Sequence, residues 1–418
     1  MRPQGLNDHP WRQAIANEVH ARPIALVPPA GRVRRIALQM PRESGVLTAA
    51  QDEFAAWCTA NGLPAPTARQ HTFRAGSYDV TWELHTEFVT LTWVSEDPKS
   101  EAWPAGIGIE AIGKFPLAMA TRIDLVAEPK IPAQMIPSFS LTSLCVSDIE
   151  GGNGQIATDF LADDDGFTRV EFATGTTSDI RRGVVVRRLL EIETYRVFAL
   201  MGLPLARELG PKLTRMEADL SKHVEQMEGV ETIEEAHASL NRLHALSVEA
   251  GKLAERTDYR FAASFAYNDV LKLRLERLME RSVGYASTIQ RYLDNRIEPA
   301  IATCRAFEKR QSALAIKLDR AIGLLNTRIG LDLQGQNRTM LKTIVDTGQS
   351  QYRLQRTVEG LSTIAISYYA LGILSYVLTG AGEVAHFSKE LAVALAAPPV
   401  ILLVWLGLRW VQSRHHKS

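Results

Sequence analysis

Two long uncharged runs constrain this chain more than any other feature. Leu361 to Gly382 is 22 residues without Asp, Glu, Lys or Arg, and Leu391 to Leu408 is another 18. As helix the first run is about 33 Å long, enough to cross a bilayer core of ~30 Å, and the second lies near the lower end of the spanning range. Trp405 and Trp410 stand where interfacial aromatic anchors are found. The two runs predict a transmembrane hairpin, and Pro398-Pro399 predicts a kink in its second helix. Two buried helices of a soluble core are the alternative, less common for adjacent runs of this length.

Basic residues set the orientation. Arg353 and Arg356 precede the first run and Arg409, Arg414 and Lys417 follow the second, whereas the connection offers only Lys389 against Glu383 and Glu390. Both ends are therefore expected in the cytoplasm of a bacterial-type cell, as a two-span protein of the inner membrane. The opening MRPQGLNDHPWRQ has no apolar core, so it does not read as a signal peptide.

The rest of the chain must fold in water, and its composition suits that. Of 418 residues 46% are hydrophobic and 22% charged, which excludes disorder and provides for a large core. Lys plus Arg equals Asp plus Glu at 47 each, so the basic excess of a nucleic-acid binder is missing. Cys58, Cys145 and Cys304 are too few and scattered for a disulfide framework or zinc knuckle and fit a reducing compartment.

Of the 19 prolines, 14 fall before residue 138, which divides the chain into two textures. Residues 1–176 read as a cytoplasmic α/β domain with a mostly antiparallel sheet. Phe167–Phe172 alternates with period two, and β-rich runs lie at Asp79–Trp82, Phe88–Val94, Met119–Val126 and Leu141–Ile149, with helix at Val46–Asn61. Gly151-Gly-Asn-Gly and Asp163-Asp-Asp-Gly between them supply hairpin turns. Residues 177–298 read as a helical bundle, in segments Ser178–Met201, Pro204–Met227, Ile233–Glu255 and Tyr259–Asn295. Residues 299–360 form a stalk helix opened by Pro299 and running into the first span at 361–382; the second span is 391–408 and a basic tail is 409–418. The fold class is thus α+β: an N-terminal sheet domain, then long helices and a two-helix transmembrane hairpin.

Along the stalk, Leu318, Ile322, Leu325, Ile329, Leu333, Gln336, Met340 and Ile344 step by three or four, a seam that packs either on the protein's own helices or on another copy. Between 305 and 360, 10 basic residues face 5 acidic ones, an excess suited to anionic headgroups or to solvent.

No catalytic signature stands out. Asp159, Asp163, Asp164, Asp165 and Gly166 have the composition of a calcium loop, but Leu161 and Phe172 occupy ligand positions, so a hairpin tip is the better reading. Gly106-Ile-Gly-Ile-Glu-Ala-Ile-Gly113 misplaces the third glycine of a dinucleotide turn. His20 in Glu18-Val-His-Ala-Arg-Pro23, with Arg22, and His85 beside Glu87 are the cytoplasmic candidates. A strand would place His85 and Glu87 on one face, either as metal ligands or as hydrogen-bonded anchors. His237 and His244, seven apart, read as surface residues. In the first span Tyr368, Gly372, Ser375, Tyr376 and Thr379 form one polar, small-residue side, with Glu383, His386 and Glu390 beyond it. Around an axis this side would line a pore whose mouth carries those three residues; otherwise it lets the second span approach closely.

HARP at His20–Pro23, WELHTEF at Trp82–Phe88 and RLQRTVEGLSTIAISYY at Arg353–Tyr369 resemble the hallmarks of an uncharacterised bacterial membrane-anchored family, a domain of unknown function. That resemblance covers nearly the whole chain and implies no activity. The plan is also similar to the CorA family of magnesium channels: a cytoplasmic α/β domain, a stalk helix entering the first span, a short loop, a second span and a basic tail. The Gly-Met-Asn that family carries at the end of its first span is replaced by Thr379-Gly-Ala-Gly-Glu383, so no functional residue carries over. Two readings lead, an oligomeric cation channel, transporter or sensor and a non-transporting membrane-anchored scaffold or regulator, with a metal-binding enzyme using His20, His85 and Glu87 ranked last. Both imply a lipid bilayer as partner and no nucleic acid. The first adds other copies of the chain and a divalent cation. No enzyme activity and no cofactor are expected.

Overall fold

The computed structural model describes residues 8–13, 15–16, 24–230, 232–385 and 389–415, with side chains in the C-terminal helices described through Val377 and at 390, 391 and 393–410. The chain forms two compact units, Met1–Gly229 with Asn241–Ile322, and Val230–Leu240 with Gly323–Ser418.

The first unit is built on one nine-stranded sheet. In chain order its elements are β1 (Gly31–Gln39), α1 (Val46–Ala60), β2 (Gln70–Ala75), β3 (Tyr78–Leu84), β4 (Phe88–Ser95), the single turn α2 (Ile109–Ile112), β5 (Leu117–Val126), β6 (Cys145–Ile149), β7 (Gly154–Ala162) and β8 (Thr168–Ala173). The helices α3 (Asp179–Leu200), α4 (Gly202–Met227) and α5 (Ile233–Glu276) follow, then β9 (Arg281–Ser282), α6 (Ile289–Ala385) and α7 (Lys389–His415). Strand order is β2-β3-β4-β1-β5-β8-β7-β6-β9. Every neighbouring pair is antiparallel except β5 and β8.

Side chains alternate between the two faces of a strand, so each face has its own core. On one face Val33, Ile123, Leu125, Ile156, Val170 and Phe172 pack with Val185, Leu189 and Leu190 of α3, Leu271 and Leu275 of α5, and Ile289, Leu293, Ile297 and Ile301 of α6. On the other, Ile36, Val80, Trp82, Leu91 and Trp93 meet Ala50, Phe54 and Cys58 of α1, with Phe54 stacked 4.6 Å from Trp82. The chain reaches β1 by passing over the start of α3, where Arg182 donates to the Val27 carbonyl at 3.1 Å. Gly183 makes this approach possible, because a Cβ there would lie 2.2 Å from the Ala25 oxygen.

Element boundaries differ from the sequence reading by more than two residues at three places. β6 starts at Cys145 and not at Leu141, because the Ser143 N–H turns back to the Ser140 carbonyl at 3.1 Å. No break falls at 255–259: Thr257 turns its hydroxyl to the Leu253 carbonyl at 3.1 Å and α5 continues. The break comes instead at 277–288, inside a segment expected to be helical. Met279 and Gly284 take positive φ there, and Glu280 folds forward to accept the Ile289 and Gln290 N–H groups at 2.9 and 2.8 Å. These are orphan donors of a helix start, so α6 begins at Ile289, ahead of Pro299. The helix α7 runs through Pro398 and Pro399 without a gap.

The α6 stripe changes character along its length. Ile301, Cys304, Phe307, Leu314, Leu318 and Ala321 are buried in the first unit. In the second, Leu325 and Ile329 are buried, as are Val230 and Ala236, and Arg328 donates to the Val230 carbonyl. From Leu331 to Val358 every residue is exposed.

Two helix glycines, one covered and one bare, should respond oppositely to alanine. Gly183→Ala forces the crossing segment away and is expected to cost on the order of 1–3 kcal/mol. Gly251→Ala, with nothing within 4 Å of the new Cβ, is expected to add about 1 kcal/mol. Thermal unfolding of the two variants checks both signs.

Candidate functional site

A polar seam runs between the sheet and α3. Arg35 of β1 stands beside Thr92 of β4, which in turn faces Thr81 of β3. Its guanidinium donates to Thr92 Oγ1 at 2.7 Å and to Glu83 Oε2 at 3.2 Å. From the helices, Arg187 donates to Glu191 at 3.0 Å, and Arg274 of α5 pairs with the second oxygen of Glu191. A cavity of ≈ 60 Å³ is lined by Arg35, Gln70, Thr81, Glu83 and Arg187 among apolar neighbours, and a smaller one of ≈ 10 Å³ by Arg35, Glu83, His85 and Glu191. Such volumes have room for a few waters at most. The alternating charges therefore neutralise one another across a packed interface, and the chemistry they can do is positioning.

His85 and Glu87 are not on a strand. They occupy the turn between β3 and β4, which corrects the shared-face expectation: a turn, unlike a strand, does not repeat every two residues. The His85 ring stacks on Phe88 at 4.2 Å, and its Nε2 lies 3.4 Å from Thr90 Oγ1. Glu87 is 3% exposed and accepts two hydrogen bonds from Arg260 of α5, at 2.7 and 3.1 Å, and one from the Tyr259 hydroxyl at 3.0 Å. Burial and the Glu87 charge push the Tyr267 and Tyr259 hydroxyls up, holding both as neutral donors. Arg42 lies over the Tyr259 ring at 3.5 Å. Glu87 is thus committed to a lock between the turn and α5. Neither Arg260 nor Tyr259 carries a signal in the sequence.

Among the described residues no three His, Cys, Asp or Glu side chains converge to hold a metal ion. His20 and Arg22 lie outside the described residues. His237 and His244 are exposed. Asp163 Oδ1 accepts the Asp165 and Phe167 N–H groups at 3.0 and 2.9 Å, so it shapes its own hairpin. Burial pushes the thiols of Cys145 and Cys304 up, to about 12 and about 11, and raises that of Cys58, which leaves all three poor nucleophiles.

In the second unit, α6 and α7 each contain a segment long and apolar enough to cross a membrane. Burial picks out one stripe on each. On α6 it contains Ser362, Thr363, Ser367, Ala370, Leu371, Gly372, Leu374 and Ser375, and on α7 Val393, Ala396, Ala397, Val400, Val404 and Leu408. Their spacing of three and four is the pattern two neighbouring helices produce. The polar side of α6 overlaps this stripe at Gly372 and Ser375 and leaves it at the two tyrosines. Tyr368 and Tyr376 are exposed, Gly372 and Ser375 are half-buried, and Ser375 returns its hydroxyl to the Gly372 carbonyl at 2.8 Å. Glu390 is exposed in the first turn of α7. The side chains of Thr379 and Glu383, and the whole of His386, lie outside what is described. Ser367 is 4% exposed and has no hydrogen-bond partner for its hydroxyl among the described residues; sequence reasoning misses it because one serine gives no periodic signal.

A family model whose description is "Protein of unknown function (DUF3422)" matches residues 7–415. No curated protein and no solved structure matches the chain.

Replacing Glu87 tests the lock. Glu87→Ala leaves the Arg260 guanidinium, 14% exposed, without its carboxylate and is expected to cost about 3–5 kcal/mol in denaturant unfolding. Adding Arg260→Met should recover a large part of that loss. If both variants unfold at the native midpoint, the pair has no such role.

Proposed function

We infer that this chain, which belongs to the DUF3422 family of proteins of unknown function, is a homo-oligomeric two-span protein of a bacterial-type inner membrane that passes or senses cations. Both termini then lie in the cytoplasm, consistent with the basic residues at the outer ends of the apolar runs.

The observation that carries the reading is the bare stretch of α6. Leu333, Met340, Leu341, Ile344, Val345 and Tyr352 are all exposed, and at 100° per residue they share one side of the helix, opposite Lys342, Asp346 and Arg353. Six such side chains, at roughly 1.5–3 kcal/mol each when fully buried, offer on the order of 10 kcal/mol per chain to whatever covers them. Copies anchored in one bilayer stand parallel and at equal height, which brings the same stripe of each to the others. The stripe also continues, by steps of four, the positions Ala321, Leu325 and Ile329 that are already buried. Of the two packing choices open for the seam, the chain's own helices serve its first half and another copy serves its second.

The exposed Tyr368 and Tyr376 with Ser375 give such an assembly a polar lining, with Thr379 farther along and Glu383 at the mouth concentrating divalent cations. The similarity to CorA in plan supports this reading, and the absence of Gly-Met-Asn argues for a different ion preference. The competing reading is an anchored scaffold, favoured by the burial of Ser367 within the first apolar run, which fits a hairpin whose two helices pack on each other.

Light scattering of detergent-solubilised protein, with the detergent mass subtracted, is expected to give three or more copies. Met340→Glu with Ile344→Glu should reduce it to one. A native monomer removes the pore, since two helices cannot enclose one. In liposomes, Glu383→Gln should lower divalent-cation flux several-fold; replacing residues 361–408 by an unrelated hairpin should abolish flux in a channel and leave a scaffold's function intact.

A further inference from the structure

The face of the sheet that carries α1 has a second charged feature, away from the seam and from the apolar runs. Register pairs Arg34 of β1 with Arg122 of β5, and Arg122 with Arg169 of β8. Register partners point to the same side, so three guanidinium stems stand abreast on adjacent strands about 4.8 Å apart. Two residues along, the partners are Arg32, Asp124 and Glu171. The arrangement is therefore two rows, one of three cations and one of a cation and two carboxyl groups.

The anions do not cover the cations evenly. Asp124 pairs with Arg32 and, at 3.1 Å, with Arg122, and Asp163 pairs with Arg122 from the neighbouring hairpin. Arg34, 2% exposed, spends its terminal nitrogens on Ser100, at 2.9 Å to the carbonyl and 3.1 Å to the hydroxyl, and its Nε is buried without a hydrogen-bond partner among the described residues. Arg169 donates to Ser138 Oγ at 2.5 Å, lies over Phe139 at 3.8 Å, and comes no closer than 3.7 Å to Glu171. Glu171 is 1% exposed, with Oε2 buried and unpartnered among the described residues. Burial, together with the charge of Asp124, pushes its carboxyl up to about 8 against the attraction of Arg169, Arg122 and Arg32. At neutral pH it is mostly an acid. Four guanidinium groups then face two carboxylates, Asp124 and Asp163. Solvent reaches the side chains of Arg32, Arg122 and Arg169, which are 18, 15 and 19% exposed.

We propose that this double row is a binding site for a tetrahedral oxyanion, free phosphate or the phosphoryl group of a monoester, gripped by Arg169 and Arg122. Guanidinium forks match the oxygens of such a group bidentately. Glu171, held as an acid, adds a donor where a carboxylate would repel, and Arg32 and Arg34 supply the positive field. Asp124 accepts from Nε of both Arg32 and Arg122, and Asp163 from Nη1 of Arg122, which orients these guanidinium groups, leaves Arg122 its second terminal nitrogen for the oxyanion and limits the bound charge.

Titration calorimetry on the full chain at low ionic strength tests the site, with three probes: sulfate, whose charge is constant between pH 6 and 9, inorganic phosphate, and glycerol 1-phosphate. Saturable binding of sulfate and phosphate at pH 6.5 is expected, with the sulfate binding weakening as pH rises through about 8 and Glu171 ionises. Tighter binding of the ester than of phosphate would identify a monoester as the ligand, and equal or weaker binding would identify the free ion. Arg169→Gln should weaken all three at least about tenfold. Glu171→Gln should keep neutral-pH affinity within about twofold and flatten the sulfate pH profile. Folding of each variant is read independently. Between the ordinary carboxyl value of 4.5 and about 8 the native chain holds a proton the unfolded chain has lost, so native stability should fall with pH across that window and Glu171→Gln should remove the fall. No saturable binding to folded native protein, or binding that survives in folded Arg169→Gln, overturns the site.

Discussion

Nine strands form one sheet only because β5 and β8 run side by side in the same direction. On either side of that pair the connections are local: β2, β3 and β4 are a meander laid against β1, and β6, β7 and β8 are hairpins. A parallel pair cannot be made by a tight turn, so the two halves meet through residues 127–167, which leave β5 and return two hairpins later. The ladder from Thr121 with Thr168 to Val126 with Ala173 is the whole of this junction within the sheet. Beneath it, Ile123, Leu125, Val170 and Phe172 share one core with α3, α5 and α6. Its other face carries charge instead of hydrocarbon.

Charge pairs largely withdrawn from solvent stand at three places where parts distant in the chain meet. Glu87 meets Arg260 across 173 residues, Arg32 meets Asp124 across 92, and Arg274 meets Glu191 across 83. Removing one partner of such a pair strands the other in a poor solvent, whereas apolar contacts tolerate small slips. The pairs therefore contribute more to choosing which surfaces meet than to net stability. The apolar clusters on the two sheet faces provide the driving force, and aromatic stacks such as Phe54 on Trp82 and Phe88 on Phe198 fill the space between helix and strand.

Much of the fold is legible in the sequence, and the exceptions have physical causes. Periodicity places α1 within one residue of its observed end, and the glycine- and aspartate-rich stretches mark the turns joining β6 to β7 and β7 to β8. β1 escapes the pattern because Arg32, Arg34 and Arg35 interrupt its apolar residues, and those arginines are inward-facing members of polar networks. The break before α6 is hidden because Glu280, a good helix former by type, is used as a cap, and Met279 adopts positive φ without being glycine. Glu87 is flagged by its neighbours, but its partner lies far along the chain, where no spacing rule reaches. The seam of α6 is visible as a whole, whereas its division at Ile329 depends on where the other helices end, which periodicity does not encode.

The smallest strand has the broadest consequence. β9 is two residues, Arg281 and Ser282, contributed from between two helices and paired with Asp148 and Ser147 at the edge of β6. The sheet is thus finished by a segment that follows α5, and the turn that supplies it also caps α6 through Glu280. A gene fragment ending after β8 would encode a sheet with an open edge and an uncovered core face. Sheet and helices consequently complete one another: the strand that closes the edge and the side chains that cover the core face both come from the helical part of the chain.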